Sequence, residues 1–517
     1  MTGLRAAIIA ALSLYSIGTT ARAQDVTLSS PDGSVEITGD LLGFDGEFYR
    51  VDTRFGELTV DGSGVLCDGP GCPNLSDFVA HVAFSGASTM AEVLLPALIE
   101  GFALRNGLQA RRQTLDASHF VYDLFQGDSG RQLARFKFRA SNTDEGFADL
   151  LANEADIVMA LREIRPRERR RARAAGMGDM TERGRVLALD ALVPVVAAEN
   201  PVHRISTPQL ARVLSGQIGN WRELGGPDAP ITLHLPASGS GLAQAAEDRL
   251  LRPLGLTFAP AAVRHARNSG LVRAVSRDPF GLGVTSYSEP GITRALTLSG
   301  PCGSALSASR QSIKTEDYPL TSPMFLYLPA RRLPKLARAF LAYTRNPAAQ
   351  IVIRRSGLVD RSPEQISVNM QGNRLANAIR LAGTEVPLAE LQRMVALLAP
   401  MTRLTTSFRF EAGSSRPDAQ SRANVIQLAR ALESGAYDAR RLVFVGFSDG
   451  DGPAQGNRRI AESRARAVRD AVLAEAEIAD PRQLRVEVAA FGEALPMACD
   501  DSAWGRQVNR RVEVWMR

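Results

Sequence analysis

Residues 442–449 read Leu442-Val443-Phe444-Val445-Gly446-Phe447-Ser448-Asp449, and the C-terminal fold can be read outward from them. Four large apolar residues in a row, with no polar alternation, predict a strand buried on both faces. The strand runs into a glycine-rich loop, Gly450-Asp451-Gly452-Pro453, and then reaches Asn457. Beyond the loop Ala461, Ala465, Val468 and Val472 recur at i, i+4, i+7 and i+11, which is one stripe of a helix. Segments 404–410, 484–491 and 510–516 read as further strands and 418–432 as a second helix, so 401–517 is expected to be a compact β-α-β-α-β unit. Asp449 then ends a buried strand and Arg464 lies two turns into a helix, both on rigid elements.

Several stretches of this unit are motif-like. They are Gly446-Phe447-Ser448-Asp449, the helix Ile460-Ala461-Glu462-Ser463-Arg464-Ala465-Arg466-Ala467-Val468, the close Asn509-Arg510-Arg511-Val512-Glu513, and the opening Phe408-Arg409-Phe410-Glu411 with Ser415. Together they resemble the OmpA-like peptidoglycan-binding domain over its whole length. The usual Gly-His-Thr-Asp reads Gly-Phe-Ser-Asp here, with Phe447 for His and Ser448 for Thr, and Ala461 replaces the helix Ser. The resemblance implies that Asp449 and Arg464 hold the diaminopimelate residue of wall peptide, with Asn457, Ser448, Glu411 and Arg510 beside them. The chemistry is suited to that task. Diaminopimelate presents an ammonium and a carboxylate on one carbon, and a fixed carboxylate with a fixed guanidinium can grip both. The rival reading is a structural Asp449–Arg464 ion pair.

Upstream, residues 78–365 alternate strands (79–84, 155–160, 186–197, 282–286, 325–328) with helices (90–106, 208–214, 241–251, 334–345), a pattern that predicts multidomain α/β architecture. Ser85-Gly86-Ala87-Ser88-Thr89 sits between a strand and a helix, where backbone N–H groups and hydroxyls suit an anion. Ala155-Asp156-Ile157, Asp190-Ala191-Leu192-Val193-Pro194, Ser215-Gly216-Gln217-Ile218-Gly219-Asn220-Trp221, Ser238-Gly239-Ser240-Gly241 and Tyr318-Pro319-Leu320 follow in order. This series resembles the phosphate-binding proteins of ABC transporters, and implies two lobes of a periplasmic-binding-protein fold around a solute cleft. Ser85, Ser88, Thr89, Thr143, Ser238 and Ser240 are its expected hydroxyl donors and Arg162 its expected cation. The pattern departs from that family at Pro236, Leu242, Asp144 and Glu145, where anion-friendly residues are usual, so the solute is left as a small anionic or polar molecule and phosphate is expected to bind poorly.

Two other features weigh less. Gly127-Asp128-Ser129-Gly130 matches the tetrapeptide around a serine-protease nucleophile but lacks the accompanying His and Asp contexts. Residues 162–173 hold seven arginines and read as a solvated helix face. The five histidines show no metal spacing, and no cofactor is expected.

Segment 25–75 reads as a small β module with strands near 35–37, 48–51 and 57–60, and 366–400 as a pair of linker helices broken at Pro387. The whole chain, at 517 residues, exceeds one ordinary domain. A mean hydropathy of −0.08 excludes a polytopic membrane protein. A net charge of +6 does not support a nucleic-acid partner. All but Lys137, Lys314 and Lys335 of the 61 basic residues are arginine.

Arg5, the apolar run 6–17 and Ala21-Arg22-Ala23 predict a secretory signal peptide over 1–23, with a mature start near Gln24 and a periplasmic, wall- or outer-membrane-associated location. In that oxidising space Cys67 and Cys72, five apart around Gly and Pro, are expected to form a disulfide. Cys302 and Cys499 either pair across domains or stay free. The expectation is a non-enzymatic envelope protein anchored to peptidoglycan and carrying a solute-binding-like domain. Its alternatives are a purely structural tether with a vestigial cleft, and a serine hydrolase. An envelope or transporter partner is left open.

Overall fold

The computed structural model describes residues 25–75, 77–300, 302, 305–383, 385–410, 414, 416–478, 482, 484–501 and 503–517. The expected signal peptide and Glu411 lie outside the described residues. No helix among the described residues is long and apolar enough to cross a membrane. The chain divides into two compact units, 1–80 and 81–517.

In the first unit five strands form an antiparallel sheet in the order Gly56–Asp61, Phe48–Thr53, Glu36–Phe44, Val26–Ser29, Leu66–Asp68. Strand alternation puts Val26, Leu28, Tyr49 and Val51 on a common buried face, with the half-buried Cys67 and Cys72 against them. So small a core gains from a staple, and Cys67 and Cys72 are disulfide-bonded.

The second unit is built on a mixed eleven-stranded sheet. Its spine is Gly184–Val196, buried from Val186 onward. The first part of this strand pairs with Thr321–Tyr327 and the second with Gly281–Ser286. Beyond Thr321–Tyr327 lie Ile157–Ala160, Ala80–Ala87 and the ribbon of Gln132–Ser141, His119–Gln126 and Leu108–Thr114. Beyond Gly281–Ser286 lie Thr232–Pro236 and Val263–His265. One long strand therefore threads both lobes of the fold expected from the sequence. The protease-like tetrapeptide is the turn between His119–Gln126 and Gln132–Ser141, closed by the Gly130 N–H on the Gln126 carbonyl at 2.9 Å. Five of the run's seven arginines lie on the helix Pro166–Ala174, where Ala172 is the only buried residue, and Arg162 and Arg165 precede it.

A separate five-stranded sheet follows in the order Gln365–Ile366, Thr402–Arg409, Arg511–Met516, Arg441–Phe447, Arg485–Gly492. Arg441–Phe447 runs parallel to Arg485–Gly492 and antiparallel to Arg511–Met516. Ala419–Glu433 and Ala454–Glu475 cover one face through Val425, Leu428, Ala465, Val468 and Val472. The other face is covered by the helices Gly372–Leu381 and Leu388–Leu398, read from sequence as a linker. They are not a free connection. Ala378, Leu391, Met394 and Leu398 pack on Val443, Val445, Phe447 and Trp515. A strand covered on both sides needs apolar residues on both sides, which is why 442–447 shows no alternation. Gly446 has a separate cause: a Cβ there would collide with the carbonyl oxygen of Ala461, so the strand and the helix carrying Arg464 approach backbone to backbone.

The C-terminal sheet is tied to the preceding lobes by buried charge and by sulfur. Asp317 accepts from Arg403 Nη1 at 2.6 Å and from Arg409 Nη2 at 3.0 Å. Glu513 in turn takes Arg374 at 2.6 Å and Arg511 at 2.7 Å. Cys302 and Cys499, left open by the sequence, are disulfide-bonded across 197 residues.

Candidate functional site

In the C-terminal domain the turn after Arg441–Phe447 presents Ser448 and Asp449, both buried. Asp449 Oδ2 accepts from Arg510 Nη1 at 2.5 Å. Arg464, buried on the facing helix, makes no ion pair with Asp449. Among the described residues its Nη2 donates only to the Ser414 carbonyl, at 3.4 Å, and its guanidinium lies 5.2 Å from the centre of the Phe410 ring. Arg464 Nε and Ser448 Oγ are shut from solvent without a hydrogen-bond partner among the described residues. Burial holds Arg464 below the usual arginine range, nearby Arg510 lowers it further, and Asp449 opposes both. Asn457 Nδ2 donates to the Gly452 carbonyl at 3.2 Å and to Glu493 at 2.9 Å, and the Gly450 N–H donates to Asp500 at 2.9 Å. Glu493 and Asp500, not singled out in the sequence, thus clamp the glycine-rich loop. A cavity of about 490 Å³ adjoins them, lined in part by Gly450, Glu493, Val386 and Cys499. The structure therefore brings Ser448, Asp449, Asn457, Arg464 and Arg510 to one end of the sheet.

Between the two lobes lies a cavity of about 320 Å³. Ser88, Thr89 and Ser240 line it, as do Ser141, Asn268, Arg267, Glu92 and Glu289. Gly86, with φ at +131°, lies so close to the Met159 carbonyl that a Cβ there would collide with it, two residues before Ser88. Ser240 caps its own helix, accepting from the Ala243 N–H at 3.2 Å.

The other expected donors are placed elsewhere. Ser85 Oγ donates to Asp149 at 2.5 Å, and Thr143 Oγ1 accepts from the Leu161 N–H at 3.1 Å. Ser238 is exposed outside the cavity lining. Arg162, expected as the cleft cation, instead pairs with Asp144 at 2.5 Å and Glu168 at 2.6 Å. Asp144 is also held by Arg165 and Glu145 by Arg139, so neither of these carboxylates acts as a bare charge. The charges that face the cavity are Arg267, Glu92 and Glu289. Burial raises Glu92, and Glu289 raises it further, against Arg112 and Arg267. Arg267 follows a two-residue step from His265 and carried no motif that sequence reading could seize on.

His265 also lines this cavity, bonded to His234 at 3.0 Å, with His234 Nε2 at 3.6 Å from Asp278. No serine hydroxyl hydrogen-bonds either histidine's ring within this chain of groups, so the hydrolase alternative gains no geometry among the described residues. No cluster of metal-binding side chains occurs among them either.

A two-lobed periplasmic-binding-protein fold joined to a sheet-and-helix domain defines the class. Residues 79–347 match the family described as PBP superfamily domain, and 409–510 match the OmpA family. The chain belongs to the PBP superfamily and carries an OmpA-family domain behind it. It is 28% identical over 223 residues to Protein SphX of Synechococcus elongatus, covering 41% of this chain and 65% of that one. It is 30% identical over 116 residues to Outer membrane porin F of Pseudomonas aeruginosa, covering 22% of this chain and 32% of the porin. The chain thus spans less than two thirds of each of these relatives. An ABC-type phosphate transport receptor from Vibrio cholerae aligns with a TM-score of 0.41 and 20% identity, over 54% of this chain and 99% of the receptor.

Proposed function

We propose that this is a non-enzymatic envelope protein, exported to the periplasm by residues 1–23, which docks on diaminopimelate-containing peptidoglycan through its C-terminal domain. In this reading the lobes ahead of that domain hold a small polar solute. The observation that carries the docking role is the buried, underused Arg464 facing the Asp449–Arg510 pair. A structural ion pair would join Asp449 to Arg464; here Asp449 is taken by Arg510, and Arg464 keeps donors for an incoming carboxylate. A buried guanidinium without an anion is unfavourable, and a ligand carboxylate relieves it. Asp449 would take the ligand ammonium, and the unpartnered Ser448 hydroxyl stands beside it in sequence. Asn457 and Glu493 fix the loop that closes the site.

Co-sedimentation of the mature protein with purified wall sacculi tests this. Removing one partner of a hydrogen-bonded charge contact typically costs about 2–5 kcal/mol. Asp449→Ala and Arg464→Ala are expected to lower the bound fraction at least tenfold while circular dichroism stays that of the wild type. Two folded variants that sediment like wild type would assign the pair a structural role and end the reading.

A further inference from the structure

Four arginines gather where the lobes join the C-terminal domain, and none has an acidic partner among the described residues. Arg185 lies near the start of the long strand Gly184–Val196. Arg361 Nη1 donates to the carbonyl of the next residue, Val186, at 2.9 Å. The Arg361 N–H donates to Gln350 Oε1 at 2.9 Å, and Gln350 Nε2 donates to the Thr344 carbonyl at 3.2 Å, which brings in Arg345. Gln427 Nε2 donates to the Arg361 carbonyl, and Arg430 stands one turn further along that helix, Ala419–Glu433. Three of the four therefore come from the lobes and the fourth from the C-terminal domain.

Among the described residues no ion pair reaches any of them, and Arg361 Nε and Nη2 are closed from solvent without a hydrogen-bond partner. Their charges act on one another. Burial and the neighbouring Arg345 and Arg430 push both Arg185 and Arg361 down to about 10, and Arg430 lowers Arg345. At the neighbouring junction the buried Arg403 is matched by Asp317. Like charges brought together repel, and an anion among them relieves that repulsion. Guanidinium forks donate in pairs to phosphoryl oxygens.

We propose that Arg185, Arg345, Arg361 and Arg430 form a binding site for a multivalent phosphoryl anion, which bridges the lobes and the C-terminal domain. The site is separate from the cavity lined by Ser88 and Ser240 and from Asp449. A free phosphate ester or pyrophosphate and a phospholipid headgroup share this chemistry.

Titration calorimetry of the mature protein with inorganic pyrophosphate at low ionic strength tests it, beside co-sedimentation with phosphatidylcholine vesicles with and without phosphatidylglycerol. Arg345 and Arg430 are exposed, so Arg345→Gln and Arg430→Gln are expected to fold even where Arg361→Gln does not. The site is supported when either variant weakens pyrophosphate binding at least tenfold, which assigns a free anion, or when it abolishes binding that only the phosphatidylglycerol vesicles show, which assigns a headgroup. Absence of binding to both probes overturns it. So does pyrophosphate binding that survives both arginine variants and is lost in Ser88→Ala/Ser240→Ala.

Discussion

Arg403 and Asp317 form a buried ion pair, Nη1 to Oδ2 at 2.6 Å, between the C-terminal sheet and the loop ahead of Thr321–Tyr327. Asp317 is held down at about 2, since Arg403, Arg374 and Arg409 together outweigh its burial. Removing it strands two arginines in a closed space, a change that typically costs about 3–5 kcal/mol. Asp317→Asn is therefore expected to lower the unfolding free energy from urea titration by an amount of that order, whereas Asp179→Asn, at an exposed pair with Arg173, leaves it nearly unchanged. Equal effects of the two substitutions would contradict the burial argument.

Glu316, the neighbour of Asp317, is pushed up to about 8 by burial, with Asp418 and Asp317 adding to the rise and Arg409 and Arg249 opposing it. A carboxyl raised on folding favours the folded state fully below its unfolded pKa, and that contribution is lost as pH rises through the folded value. Stability at the junction is expected to fall from about pH 4.5 to about pH 8 on this account. Glu316→Gln, uncharged throughout, removes that slope. Melting temperatures of both proteins across this range measure it, and parallel curves would reject it.

The Ser448 hydroxyl separates two roles. An unsatisfied buried hydroxyl typically costs about 1–3 kcal/mol. If it serves only the fold, Ser448→Ala raises stability and leaves sacculus binding intact. The docking reading expects raised stability together with binding weakened several-fold.

Phosphate is expected to bind weakly in the interlobe cavity, because Glu92 and Glu289 face it beside the single arginine Arg267. Calorimetry decides this. A micromolar constant, about −8 kcal/mol, that is abolished by Ser88→Ala/Ser240→Ala would show that the hydroxyls outweigh the carboxylates.

Periodic patterns carried much of the fold into view. The stripe through Ala461, Ala465, Val468 and Val472 and the unbroken run at 442–445 each follow from local packing, and the structure buries both. What stayed hidden depends on partners distant in sequence. The helices at 366–400 look like a connection until Val443 and Trp515 are known to lie beneath them. Arg162 looks like a cleft cation until Asp144, Glu168 and Asp248 close around it. Arg267, Glu493 and the four junction arginines carry no motif of their own, and only the fold brings them to their sites.

Cys302 and Cys499 enclose a loop whose closure restricts the unfolded chain, an effect on the order of 5 kcal/mol for a loop this long. The same bond has a mechanical consequence. When the chain is pulled from its two ends, tension passes from Cys302 to Cys499 through sulfur, and the 197-residue separation between them is bypassed. Roughly 650–700 Å of contour length stays hidden from the force until the bond is reduced. Thr402–Arg409, Arg441–Phe447 and Arg485–Gly492 lie inside that slack loop, while Arg511–Met516, the strand paired with the first two, stays in the line of load.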